Sequence, residues 1–170
     1  QSDLPGVGKT YVEILQLAEK KQVRGLLSIC TNMSVSSPNL NRVNQQMASL
    51  DHCVVIDPFF SESAAHADIV LPGSTFAEEE GTITTIEGRV VRIDQVVPPV
   101  AGLADLDILR ALAERLGHGD KFQFFSGEQV FAEMRKISKG GPVDYFGMTY
   151  ERLRGTDGLF WPCPTPEHPG

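Results

Sequence analysis

The stretch CVVIDPFFSESAAHADIVLP, residues 53–72, decides the fold. It opens on CVVI, a short apolar run closed by Asp57, and it ends on IVLP, a second such run stopped by Pro72. Runs of this length with no polar alternation suit strands covered on both faces, as in a parallel sheet. Between them SESAAHA, with Ser61 as a candidate N-cap, reads as a short helix. Working outward, GLLSIC (residues 25–30) is a third buried strand. The polar loop TNMSVSSPN follows it, and Asn39 caps a helix running to about Leu50. Upstream, Val12, Leu15 and Ala18 recur at helical spacing over residues 10–21. The expected strands lie near residues 26–30, 54–56 and 69–70. The rhythm of strand and helix predicts an α/β fold: a doubly wound, mainly parallel sheet with helices on both faces. Ligands of such sheets sit beyond the carboxyl ends of the strands, so the loops after Cys30, Asp57 and Leu71 form the expected functional edge.

Downstream, TITT and RVVRI flank IEG and read as a β-hairpin over residues 82–93. A helix beginning at Asp105 or Asp107 runs through DILRALAERLG and closes at Gly117. GEQVFAEMRKIS is a weaker helix. From Gly140 the chain is rich in Gly, Pro and aromatics, and reads as an irregular C-terminal extension, a loosely structured connector packed through Tyr145, Phe146, Tyr150, Phe160 and Trp161. The expected organisation is a partial α/β cofactor domain over residues 1–120, then a helix and connector over 121–170. A first residue of Gln and an open PTPEHPG end suggest a piece of a longer protein.

Composition narrows the function classes. A net charge of -7 lacks the basic balance of a nucleic-acid binder. No apolar run is long enough to cross a bilayer, and no signal peptide is evident. Three scattered cysteines, Cys30, Cys53 and Cys163, form no CxxC pair. That argues against a zinc or iron–sulfur site within the chain and suits a reducing, cytoplasmic compartment. The four histidines show no ligand spacing. GVGKT (residues 6–10) carries the last residues of a P-loop, but Asp3 stands where its first glycine should be, and no strand precedes it. AEEEG (residues 77–81) reads as a solvated turn before the hairpin, since three consecutive Glu cannot all face one ion.

Asp57 has two readings. At a strand end it can accept hydrogen bonds from ribose hydroxyls or a guanine edge, or it can form a turn and cap before Pro58.

Four stretches, GLLSICTNMSVSSPN, VVIDPFFSESAAHADIVLP, AEEEGTITTIEGRV and DLDILRALAERLG, occur in this order and spacing in the molybdopterin oxidoreductases, the catalytic subunits of nitrate reductases, formate dehydrogenases and relatives. The chain resembles that family from about Gly25 to Gly117, and the tail ending FWPCPTPEHPG is most similar to the assimilatory nitrate reductase branch. The resemblance implies a bis(molybdopterin guanine dinucleotide) molybdenum cofactor, with one guanine dinucleotide held by this α/β segment. Carried over residue by residue, Asn32, Ile56, Asp57 and Asp107 fall on cofactor-contacting positions. Asp107 has a competing role as a helix N-cap. Glu79 falls where some relatives carry a Lys, and the reversed charge removes it from the set. The family's 4Fe-4S motif and molybdenum ligand lie outside this segment, so the resemblance implies an inert fragment whose partners are the remaining domains of its parent and an electron-donor protein or subunit. A formate dehydrogenase of the same family is one alternative. A cofactor-free relative such as the large iron–sulfur subunit of NADH dehydrogenase is another, and a P-loop NTPase is a third.

Overall fold

A computed structural model of the chain describes residues 6–170. They pack as two compact units, residues 6–73 and Ser74–Gly170. Asp3 lies outside the described residues. Lys9 is exposed, and Thr10 is the N-cap of the first helix.

Unit 1 contains α1 (Tyr11–Glu19), β1 (Gly25–Ile29), α2 (Met33–Ser36), α3 (Leu40–Ala48), β2 (His52–Asp57), a 3₁₀ turn (Ala64–His66) and β3 (Ile69–Pro72). Helix α1 starts at a capping box: the Thr10 hydroxyl accepts from the Glu13 N–H, and the Glu13 carboxylate accepts from the Thr10 N–H at 2.8 Å. Asn39 caps α3, holding a left-handed φ of 59° that Asn tolerates better than most residues. The expected SESAAHA helix is only a 3₁₀ turn, and α2 arises inside the segment read as a polar loop.

The strands form a parallel sheet in the order β1-β2-β3, as expected. Its register aligns Ser28, Val55 and Val70 on one face, and Leu27, Val54 and Ile69 on the other. Leu15, Met33, Val43, Met47 and Ala64 pack with Cys53 and Val55 into one core, so the helical elements share the Val55 face. The sequence led us to expect helices on both faces; unit 1 by itself covers one. The reason is geometric. Both crossovers step the same way across the sheet, and right-handed crossovers stepping one way stay on one side. Leu27, Ile29 and Ile69 on the opposite face are exposed.

Unit 2 contains β4 (Gly81–Thr84), β5 (Arg89–Ile93), α4 (Asp105–Arg115), a 3₁₀ turn (Gly119–Lys121), α5 (Gly127–Ser138), α6 (Tyr150–Leu153) and β6 (Leu159–Phe160). The hairpin of β4 and β5 turns through Gly88 at φ 86°. Strand β6 then pairs antiparallel with β5, which the sequence did not announce.

The expectation of a loose tail is corrected. Met148 and Cys163 are fully buried, and they join Val90, Phe131, Tyr150, Leu153 and Leu159 in one core. Two charged side chains supply the hydrogen bonds that irregular backbone needs. Asp144, 4% exposed, accepts from the N–H groups of Gly140 at 2.7 Å and Phe146 at 2.8 Å. Arg152 donates to the carbonyls of Gly147 and His168, each at 2.6 Å.

The solvated-turn reading of AEEEG is corrected as well. Glu78 is 6% exposed. Its carboxylate accepts from the N–H and hydroxyl of Thr75 at 2.7 and 2.8 Å, and from the Val100 N–H at 2.7 Å. These bonds, the Thr75 N–H foremost, hold its pKa below the usual glutamate value. Glu79 accepts from the Ser74 hydroxyl at 2.5 Å and the Asp105 N–H at 2.7 Å. The N-cap residue of α4 is Ala104, which has no side chain to offer, so Glu79 satisfies an N–H of the first turn from a distance in sequence. Its negative charge also suits the helix N-terminus.

Two outcomes are expected. An added Cβ at Gly147 would lie 2.0 Å from the Thr165 carbonyl oxygen. Gly147→Ala should therefore destabilise the chain by at least about 1–3 kcal/mol, measured as a lower urea midpoint. Glu78 has a folded pKa below its unfolded value of 4.5, so its stabilisation is present above that value and is lost as pH falls through the folded pKa. The melting temperature of Glu78→Gln should fall below wild type at about pH 7, and the gap should close towards about pH 3.

Candidate functional site

The carboxyl edge of the parallel sheet is built from the loops that follow β1, β2 and β3. At the first, the Cys30 N–H donates to the Ile56 carbonyl at 2.8 Å, extending the ladder by one bond. Cys30 then turns to φ 48°, a left-handed conformation that costs a residue with a Cβ about 1–2 kcal/mol. This turn lifts Thr31 and Asn32 out of the strand direction.

Asn32 is fastened to the loop after β2. Its Oδ1 accepts from the Ser63 N–H at 3.2 Å and the Ser63 hydroxyl at 2.9 Å. Its Nδ2 donates to Glu62 at 2.7 Å, and that bond is the main reason the Glu62 pKa lies below the ordinary range. Ser63 is fully buried and also accepts from the Ser34 N–H at 3.0 Å. One serine thus joins two edge loops. Sequence reasoning missed it, because a serine within SES reads as an ordinary solvated turn.

Asp57 ends β2, half-buried. Its Oδ1 accepts from the Phe59 N–H at 2.9 Å and its Oδ2 from the Ser61 hydroxyl at 3.2 Å. The Ser61 hydroxyl in turn lies 3.4 Å from the Ala64 N–H. Asp57 therefore shapes a local turn, the plainer of its two readings. A carboxylate has about four acceptor sites, so two remain for a ligand. The Gly73 N–H donates to the Asp57 carbonyl at 3.1 Å and ties the third loop to the same point. Ile56 differs in kind. Its side chain is fully buried, and any contact it makes beyond the core passes through its backbone.

Asn32, Ile56 and Asp57 thus gather at one edge of unit 1. Asp107 belongs to unit 2 and is described there. It lies in the first turn of α4, three positions into the helix, so it is not the N-cap. Its carboxylate pairs with Arg110 at 2.7 Å. It lines a cavity of about 250 Å³ with Glu79, Glu80, Gln95 and Phe125. Arg110 covers the Phe125 ring, 4.8 Å from its centroid. Among the described residues no group of three or more His, Cys, Asp or Glu is placed to hold a metal ion. No described helix is long and apolar enough to cross a membrane.

The edge of unit 1 thus presents carboxylate and amide groups on loops held by hydrogen bonds.

Comparison with known proteins identifies the family. The family model described as molybdopterin oxidoreductase matches residues 3–115. The chain is 42% identical over 172 residues to the assimilatory nitrate reductase catalytic subunit of Bacillus subtilis (strain 168), a match covering 100% of this chain and 24% of that protein. It is 41% identical over 167 residues to the F420-dependent formate dehydrogenase 1 subunit alpha of Methanococcus maripaludis, covering 98% of this chain and 24% of that one. The chain thus spans about a quarter of the length of these curated relatives. Among solved structures, acetylene hydratase from Pelobacter acetylenicus superposes with a TM-score of 0.67 at 20% identity, covering 88% of this chain and 20% of that one, a likeness of fold alone. The family match over residues 3–115 shows that the chain belongs to the molybdopterin oxidoreductases, a family built around a molybdenum–pterin cofactor.

Proposed function

We propose that this chain is the part of a catalytic subunit that holds the nucleotide end of a molybdopterin guanine dinucleotide, and that the parent enzyme reduces nitrate. The observation that carries the holding role is the carboxyl edge of unit 1, where Asn32 and Asp57 stand on loops locked to each strand end by side-chain hydrogen bonds. Such a cradle meets its ligand without further ordering, which favours affinity.

The residues fit that group. Asp57 keeps two acceptor sites for ribose hydroxyls or the donor edge of guanine. Asn32 has one amide hydrogen beyond its bond to Glu62. Ile56 contributes main chain only. Asp107, in unit 2, is proposed as a further nucleotide contact through the carboxylate oxygen that Arg110 leaves open. When bound, the molybdenum–pterin group supplies the electron-pair and oxygen-atom chemistry. The chain's own residues bind, orient and anchor. The bis(dinucleotide) form, a 4Fe-4S cluster ligated elsewhere in the parent, an electron-donor partner and a cytoplasmic setting complete the proposal.

Nitrate rests on the similarity to the assimilatory nitrate reductase subunit over the whole chain. Formate oxidation is the second reading, favoured by formate dehydrogenase subunits of comparable identity, 43% in one case. The full-length parent decides between them: nitrate-dependent oxidation of a reduced viologen is expected, and formate-dependent viologen reduction in its place would overturn the nitrate assignment.

Asp57→Ala in the parent should weaken the hold on the nucleotide by roughly 10- to 150-fold, the value of a charge-assisted hydrogen bond. Guanine nucleotide released by acid, counted per polypeptide, should fall, with Asp57→Asn intermediate. Full occupancy in Asp57→Ala would leave Asp57 as a turn former alone.

A further inference from the structure

Phe59 and Phe60 follow directly on the Asp57 turn and are 72% and 77% exposed. Two adjacent phenylalanines left so open are a liability unless something covers them, since each leaves apolar surface in water. Arg89 lies over Phe160 and Arg110 over Phe125, whereas Phe76, 76% exposed, is as open as Phe59 and Phe60 but does not stand beside Asp57 in the chain. None of the ring pairs or cation contacts among the described residues involves Phe59 or Phe60.

The backbone beneath these rings is fixed. The Phe59 N–H donates to Asp57 Oδ1 at 2.9 Å, and the Phe59 carbonyl accepts from the Ser61 N–H at 2.9 Å. Both main-chain groups of Phe59 are therefore engaged, and the ring stands on a rigid turn. A flexible aromatic would lose freedom on covering; this one has little backbone freedom left to lose. The same carboxylate that pins the turn keeps acceptor sites free beside the rings. Flat apolar faces next to a few placed acceptors suit a planar nitrogen heterocycle, which stacks through its faces and donates through its edge.

We infer that Phe59 and Phe60 form a stacking platform for the guanine base at the carboxyl edge of the sheet, beside Asp57. This rests on the nucleotide-holding reading above and adds to it the residues that grip the base. Stacking of a base on an aromatic side chain tolerates many bases, so the platform supplies affinity, and Asp57 supplies the preference for a donor edge. A pterin ring has the same planar chemistry, and the test separates the two sources.

The 170-residue chain is titrated with GMP, with ribose 5-phosphate and with 6-hydroxymethylpterin, followed by ring-proton shifts in NMR spectra. Phe59→Leu, Phe60→Leu and the matching Tyr variants are compared, with thermal melts to show that each remains folded. Expected is a loss of GMP affinity of roughly 5- to 150-fold in the Leu variants, retention in the Tyr variants, and unchanged binding of ribose 5-phosphate. Equal GMP affinity in wild type and both Leu variants overturns the platform and leaves the nucleotide-holding reading intact. Platform-dependent binding of the pterin in place of GMP overturns the assignment to guanine. Failure of the wild-type chain to bind GMP or ribose 5-phosphate overturns the nucleotide-holding reading, and the platform with it.

Discussion

Strand β2 is bonded on both sides by parallel neighbours, and the layout of unit 1 follows from that constraint. A parallel partner cannot be reached by a tight turn, so the chain must cross the sheet face between strands. It does so first through α2 and α3, then through the short turn at Ala64–His66. Both crossings lie over Cys53 and Val55, and their apolar side chains close the core there. The same constraint sets the geometry of the carboxyl edge. Parallel strands end at a common edge, so the loops that carry Asn32 and Asp57 emerge side by side although 25 positions separate the two residues in sequence. An antiparallel arrangement would have sent them to opposite ends.

Several acidic side chains in this protein serve as acceptors for irregular backbone. Asp57, Glu78, Glu79 and Asp144 each accept at least one main-chain N–H. A buried N–H without a partner costs about 1–3 kcal/mol, so these bonds are needed wherever the chain is neither helix nor strand. The consequence is that these loops are held in place by hydrogen bonds of their own. Asp57 joins the two roles: it shapes a turn with two of its acceptor sites and retains others.

Unit 2 shows how little local pattern says about a Gly- and Pro-rich segment. Its tail is held by Arg152 and Asp144, whose partners lie as far along the chain as His168. Strand β6 pairs with β5 across some 65 residues of sequence. Neither connection has a periodic signature. Cys163, an isolated cysteine in sequence, is a fully buried core side chain whose sulfur lies 3.3 Å from an Arg152 nitrogen.

The sequence by itself determined the elements with strong local signals. The three apolar runs became the parallel strands, each within a residue or two of expectation. Asn39 announced the start of α3 because a capping side chain acts on the next turn and needs no tertiary partner. The ordered motifs also made the family legible. Tertiary structure decided what the side chains touch. That Asn32 binds Ser63 and Glu62, that Glu79 stands in for the missing cap of α4, and that Phe59 and Phe60 remain uncovered all depend on segments distant in sequence or on the absence of a neighbour. Such contacts carry no period and no motif, because a hydrogen bond between two loops is fixed by where the strands deliver them and not by the residues beside it.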